Sequence, residues 1–256
     1  MIREKIVIKN SKGINLSGIL SIPGKTAPLT FAVFAHCFTC NKNYINAKYI
    51  SEALTNQNIG VLRLDFTGLG ESEGAFAETN FTSNINDLTD AAAFLSKNYL
   101  PPKLLIGHSL GGAASIVAAQ KIDSVKALAV IGTPSTLDHI KKLFTDKMAE
   151  ITSAGSATVD VAGRDIEIGK TFVEDLSSYN LKKVLNTLTK PILIMHSPDD
   201  HMVNIDHATS IFMAARHPKS FISLDRMHHL ITNPKDAEYI GKLIATWSSR
   251  YITNDK

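Results

Sequence analysis

Residues Lys103-Leu104-Leu105-Ile106-Gly107-His108-Ser109-Leu110-Gly111-Gly112 form an apolar run that ends in Gly-x-Ser-x-Gly. It passes straight into the apolar stretch Ala113-Ala114-Ser115-Ile116-Val117-Ala118-Ala119. A buried strand turning sharply into a helix strains the serine backbone and presents the hydroxyl at the sheet edge, provided Gly107 and Gly111 let the neighbouring chain pass. Ser109 is then a candidate nucleophile for acyl transfer. The N-terminus of the following helix points N–H groups at a developing oxyanion, with the Leu110 N–H as the expected donor. Bare Gly-x-Ser-x-Gly is common by chance, and a capping serine in a glycine turn is the bland alternative. The strand and helix flanks argue for the elbow.

A nucleophilic serine needs a base, and the base needs an orienting carboxylate. The apolar run 191–196 leads into Ser197-Pro198-Asp199-Asp200-His201-Met202-Val203, and the run 220–225 leads into Arg226-Met227-His228-His229-Leu230. Both place the required residue type just past the end of a buried strand, where open α/β sheets bind ligands. Of nine histidines, His139, His207 and His217 read as ordinary surface or core residues. The pair His228-His229 has both position and chain order in its favour.

A second oxyanion donor belongs on the loop after the run 31–35, which reads His36-Cys37-Phe38-Thr39-Cys40. The Phe38 N–H is the candidate. Cys37-x-x-Cys40 would also suit a redox pair or half a zinc site. A redox pair belongs at a helix start in a different fold, and zinc would need a second ligand pair that the sequence lacks. The two cysteines are therefore expected to be packing residues. Asp65-Phe66-Thr67-Gly68-Leu69-Gly70-Glu71-Ser72 lacks the third glycine of a dinucleotide loop, and no P-loop lysine follows any glycine run. No cofactor and no metal are expected.

These residues need a scaffold. Residues 2–8 and 14–22 read as an antiparallel pair joined at Ser11-Lys12-Gly13. From residue 30 onward, short apolar runs at 31–35, 60–65, 103–107, 127–132, 191–196 and 220–225 alternate with helical stretches at 44–57, 84–98, 111–121, 205–216 and 235–251. That rhythm is an α/β fold with a mainly parallel sheet covered on both faces. Residues 135–190 interrupt it and read as an inserted cap. Within the cap, Val159 and Val161, a turn at Ala162-Gly163-Arg164, then Ile166 and Ile168 have the pattern of a β-hairpin.

The 256 residues, 44% hydrophobic and 20% charged, suit one globular domain over 1–256. A net charge of +3 without a dense basic tract argues against nucleic acid as a partner. Charges at Arg3, Glu4 and Lys5 interrupt any signal peptide, and no apolar run spans a membrane. Two cysteines are too few for a disulfide scaffold. The expectation is a soluble cytoplasmic protein; monomer and homodimer are both open.

His36-Cys37-Phe38-Thr39, Asp65-x-x-Gly68-x-Gly70-x-Ser72, Gly107-His108-Ser109-Leu110-Gly111-Gly112 and the Asp-then-His tail resemble the α/β-hydrolase superfamily along nearly the whole chain. More narrowly, Phe38-Thr39, Asp65-Phe66-Thr67-Gly68 and Gly163-Arg164 resemble hydrolases that in some bacteria are fused to an organic-hydroperoxide-reductase-like domain. The chain ends at Lys256, so that second domain is expected to be absent. The resemblance implies an eight-stranded α/β-hydrolase fold and carboxylesterase activity on a small acyl ester. It assigns the acid to Asp200, through a G-x-x-D-x-x-V spacing with Ser197 in the glycine place. It assigns the base to His229, in the place of a D-H-L-L stretch. Two departures stand out. Cys37 replaces the usual glycine after His36, and His228 replaces an aspartate. Amide or thioester hydrolysis, or acyl transfer, on the same residues is the nearest rival; a weakly catalytic ligand-binding or partner protein is the rival of another class. Haloalkane dehalogenation is disfavoured because position 109 is not a carboxylate.

Overall fold

A computed structural model describes residues 1–161 and 163–253. Strands β1 (Ile2–Lys9), β2 (Asn15–Ile22), β3 (Thr30–Ala35) and β4 (Ile59–Leu64) open the chain, with helix α1 (Ile45–Asn56) between the last two. Helix α2 (Phe81–Asn98), β5 (Pro102–His108), α3 (Leu110–Lys121) and β6 (Ala127–Ile131) follow. A mixed segment then leads to β9 (Ile192–His196), α8 (Asp206–Ala214), β10 (Lys219–Ser223) and α9 (Pro234–Ile252). Eight strands form one sheet in the order β1-β2-β4-β3-β5-β6-β9-β10. The β1/β2 and β2/β4 pairs are antiparallel, and every later pairing is parallel. The mainly parallel sheet expected from the apolar rhythm is present, with the eight strands that the resemblance implies and helices on both sides.

Period-two alternation explains how continuous apolar strands serve two faces. Ala32 and Phe34 of β3 with Leu104 and Ile106 of β5 pack beneath α1 and α9, against Ile50, Leu54, Ile240 and Ile244. Val33, Ala35 and Leu105 point the other way, to Ile85 and Leu88 of α2 and Ile116 of α3. Helix α3 is buried along ten consecutive residues, Leu110 to Ala119, as its all-round apolarity requires.

Helix α2 begins three residues before the expected start at 84. Asn80 accepts from the Ser83 N–H at 2.7 Å, and Ser83 Oγ accepts from the Asn80 N–H at 3.1 Å. This reciprocal cap extends the helix back to Phe81. Ser rather than Glu or Gln at the third helical position hides the signal.

Between β6 and β9 the chain forms α4 (Asp138–Lys141), a 3-10 turn over Lys142–Lys147, α5 (Met148–Ala154), the hairpin β7 (Ser156–Asp160) and β8 (Asp165–Gly169), α6 (Lys170–Leu176) and α7 (Leu181–Thr187). Register runs from Ser156↔Gly169 to Asp160↔Asp165. Of the expected turn, Ala162 lies outside the described residues. Phe144, Val159, Ile168, Phe172 and Leu185 of this segment belong to one continuous apolar cluster with α2 and α3.

Candidate active site

Ser109 lies between β5 and α3 with φ 55° and ψ −123°, a conformation that costs a non-glycine residue of order 1–3 kcal/mol. Surrounding chain holds it there. Its N–H donates to the Ile131 carbonyl on β6 at 2.9 Å, and its carbonyl accepts from the Gly112 N–H at 2.9 Å. A Cβ on Gly107 would lie 2.4 Å from the Gly111 carbonyl oxygen, and one on Gly111 would lie 2.3 Å from that of His36. Both clashes are with backbone, so only glycine fits. The Leu110 N–H opens α3 and has no partner within the helix.

Strand β9 ends at His196, and the turn beyond it carries Asp200, which is 5% exposed. Asp200 Oδ1 accepts from the N–H groups of Met202 (2.9 Å) and Val203 (2.8 Å). Its Oδ2 accepts the Nδ1–H of His229 at 2.7 Å. With Nδ1 donating, the His229 Nε2 is left as the acceptor. His196 Nε2 donates to the Val203 carbonyl at 2.7 Å and lies 3.4 Å from Asp200 Oδ2. Burial pushes the Asp200 carboxyl up, but hydrogen bonds from His196 and His229, the His229 charge interaction and the Val203 N–H outweigh it and hold the group below the usual carboxylate range. Within the doublets, Asp199 is exposed and accepts the Arg226 N–H at 3.0 Å, and His228 is exposed. Asp200 and His229 are the members that meet.

The loop after β3 is gripped at both ends. Buried His36 lies with Nδ1 2.8 Å from the Cys37 carbonyl and accepts the Phe66 N–H at Nε2, 3.3 Å away. That arrangement needs the neutral ring, and burial lowers its pKa. At the far end, Asp65 accepts from the Lys42 N–H and Nζ, both at 2.5 Å, and from the Glu71 N–H at 2.8 Å. The Asp65-x-x-Gly68-x-Gly70 stretch therefore serves to anchor this loop. Between the ends, the Phe38 ring sits among Phe76, Phe144 and Phe172 at centroid distances of 5.7, 5.9 and 5.6 Å.

The expectation that Cys37 and Cys40 are merely packed is corrected: their sulfurs are joined in a disulfide across the Phe38-Thr39 dipeptide. A turn already closed by the Cys40 N–H on the Cys37 carbonyl at 3.1 Å brings the Cα atoms to 5.2 Å, within disulfide range. The bond also removes the support that the low cysteine count lent to a reducing compartment.

Ser109 and His229 open onto the same cavity of about 310 Å³, together with Phe38, Tyr44, Ile140 and Arg164. Among the described residues, no group of three or more His, Cys, Asp or Glu side chains is placed to hold a metal ion, and no helix is long and apolar enough to cross a membrane.

Comparison with known proteins identifies the family. Residues 34–168, more than half of the chain, match the family described as serine aminopeptidase, S33. The chain belongs to this family of α/β hydrolases. The crystal structure of an esterase domain from Rhodothermus marinus is 44% identical, covers 98% of this chain and 100% of its own, and superposes with a TM-score of 0.83. An uncharacterised protein, YfhR of Escherichia coli O157:H7, is 23% identical over 89% of this chain and 73% of its own length. Rat mitochondrial palmitoyl-protein thioesterase ABHD10 is 24% identical over 77% of this chain and 63% of its own length.

Three residues around the hydrolase site escaped the sequence reading. His108 Nε2–H donates to the His229 carbonyl at 2.8 Å. Asn46 Nδ2 lies 3.2 Å from His108 Nδ1 and donates to the Leu230 carbonyl at 3.0 Å. His196 backs Asp200. Position 108 inside the Gly-x-Ser-x-Gly run and position 196 at the end of an apolar strand were visible; that their side chains turn toward the loops carrying Asp200 and His229 depends on tertiary packing.

Proposed function

We propose that this hydrolase is a carboxylesterase that cleaves small acyl esters, with Ser109 as nucleophile, His229 as base and Asp200 as the carboxylate that orients the base. The observation that carries the reading is the 2.7 Å contact of Asp200 Oδ2 with His229 Nδ1, in a protein whose strained Ser109 shares a cavity with that histidine. Ser109 Oγ attacks the ester carbonyl carbon and passes its proton to His229 Nε2. The Phe38 and Leu110 N–H groups donate to the resulting oxyanion. Collapse expels the alcohol, which takes the proton from His229, and leaves an acyl-serine. His229 then deprotonates water, which attacks the acyl carbon and releases the acid. Asp200 keeps the imidazole tautomer and stabilises the imidazolium, a role suited to a carboxyl held ionised by its neighbours.

The likeness to an esterase domain supports the ester over the amide implied by the family's description. The likeness to a palmitoyl-protein thioesterase keeps thioesters as the second reading, on the same atoms. A cavity of about 310 Å³ lies at the small end for ligand sites and favours short acyl groups. The test is labelling with a fluorophosphonate followed by peptide mapping, beside turnover of p-nitrophenyl butyrate. Label on Ser109, and turnover reduced on the order of 10⁴ or more in Ser109→Ala, is the expected result. Unlabelled Ser109 or an active Ser109→Ala variant overturns the reading.

A further inference from the structure

We infer that Arg164 forms an anion-binding wall of this cavity and that the preferred substrates are esters carrying a free carboxylate. The inference rests on the esterase reading above and names the substrate class for that site.

Among the described residues lining the cavity, Arg164 carries the only fixed charge, and none is Asp or Glu. Its guanidinium is doubly oriented. Nη1–H donates to the Thr39 carbonyl at 2.7 Å, and the group lies over the Tyr44 ring, 5.4 Å from its centroid. No carboxylate pairs with it among the described residues, although Asp160 and Asp165 close the hairpin on either side of the turn that bears it. One N–H of the five is used, and the rest of a planar fork suited to bidentate carboxylate recognition remains for a ligand. Thr39 follows Phe38, so the cation is tied to the loop proposed to bind the oxyanion. The rest of the wall is mostly apolar or uncharged, with Phe38, Ile140, Leu143 and Met202. Such a lining rewards a short aliphatic spacer between the scissile carbonyl and a terminal anion. A neutral ester gains nothing from the guanidinium, whereas a carboxylate gains a charge-assisted hydrogen bond.

The carboxylate belongs on either the acyl or the alcohol side of the ester, and two substrate pairs separate these. Monoethyl adipate against ethyl hexanoate tests the acyl side; 4-carboxyphenyl butyrate against phenyl butyrate tests the alcohol side. All four are followed by titration of released acid. In the wild type, one pair shows about tenfold higher kcat/KM for the anionic member, through KM. Arg164→Gln brings that ratio near one, Arg164→Lys retains part of it, and 1 M NaCl lowers it. A ratio near one in both pairs, or one untouched by Arg164→Gln, overturns the inference. Should the wild type hydrolyse no ester, the esterase reading falls by itself. The subsite is then judged by calorimetric titration of Ser109→Ala with monoethyl adipate: binding lost on adding Arg164→Gln sustains it, and binding unaltered by that change removes it.

Discussion

The Nε2–H of His108 donates to the main-chain carbonyl of His229 across 2.8 Å, so the residue before the candidate nucleophile carries the loop of the candidate base. Asn46 ties the same loop through the Leu230 carbonyl. The contact is made by a neutral ring. Burial, reinforced by the nearby His229, pushes the His108 pKa down from 6.5 to about 3.

A pH dependence of stability follows, and its sign is fixed. Because the folded pKa is depressed, the unfolded chain binds a proton between pH 6.5 and 3 that the folded chain refuses. Stability is whole above pH 6.5 and declines as pH falls toward 3, by up to about 1.4 kcal/mol per pH unit for one group. His36, also lowered by burial, acts in the same direction. Urea unfolding of His108→Gln between pH 7 and 4 should give a shallower acid slope than the wild type. Parallel curves for the two proteins would sink this account.

The two doublets give a second prediction. Only Asp200 contacts His229, while Asp199 is engaged with the Arg226 N–H and His228 faces solvent. On one ester, His229→Ala nearly eliminates turnover and Asp200→Asn lowers it by up to about 10⁴. His228→Ala and Asp199→Asn keep at least about a tenth, since neither touches the reacting groups. The opposite ranking within either doublet shifts the register by one residue.

Gly111 provides a third. An added Cβ would stand 2.3 and 2.5 Å from the His36 and Ala35 carbonyl oxygens, so β3 and α3 must separate. Gly111→Ala is expected to cost about 3 kcal/mol or more and to reduce turnover with it, because Phe38 on the loop leaving β3 and Leu110 at the start of α3 would be driven apart. Chemical denaturation checks the first effect; a midpoint within error of the wild type contradicts the stated clash.

The scaffold and much of the site were legible for one physical reason. In a doubly covered parallel sheet, strands are short apolar runs and ligands gather at their C-terminal ends, so Ser109 and the doublets Asp199-Asp200 and His228-His229 each stand out by following such a run, while the choice of Asp200 and His229 within the doublets came from the family resemblance. Phe38 became a candidate by the same logic. The start of α2 was missed because Asn80 and Ser83 cap it in a form the residue types only weakly suggest. The Cys37–Cys40 bond was missed because spacing alone does not report that a turn brings two Cα atoms to 5.2 Å. His108 and Asn46 were missed because each acts on residues far along the chain, as the 121-residue separation of His108 from His229 illustrates, whereas His196 reaches Asp200 and Val203 only because the turn beyond the strand folds back on it.

The disulfide leads to a fourth prediction. Protein purified without reductant and unfolded in guanidinium should titrate no free thiol, and two after reduction, since both cysteines are bonded. Closing so short a loop stabilises by about 2 kcal/mol in the chain-entropy account, and Cys37→Ser/Cys40→Ser should lose that amount. The loop stays anchored by His36, Lys42 and Asp65, so the double variant keeps measurable ester turnover. Complete inactivity would assign the sulfurs a part in the chemistry.

The last prediction concerns acyl length. Ile140, 2% exposed in the protein, lines the cavity beside Phe38 and Leu143, and the Phe38 ring is backed by Phe76, Phe144 and Phe172. Packed aromatic rings yield little, because close packing leaves no free volume to absorb a longer chain. Turnover of p-nitrophenyl esters should therefore peak at short acyl groups and fall steeply toward palmitate. Ile140→Ala removes wall volume at a stability cost of about 2–5 kcal/mol, and it should move the optimum toward longer chains while leaving acetate turnover within a few-fold. That direction matters more than the size of the shift: a globally loosened site would lose activity on every ester, whereas a widened one gains on long esters relative to short. A wild-type maximum at ten carbons or beyond, or an Ile140→Ala profile parallel to the wild type, contradicts the wall as the element that sets acyl length.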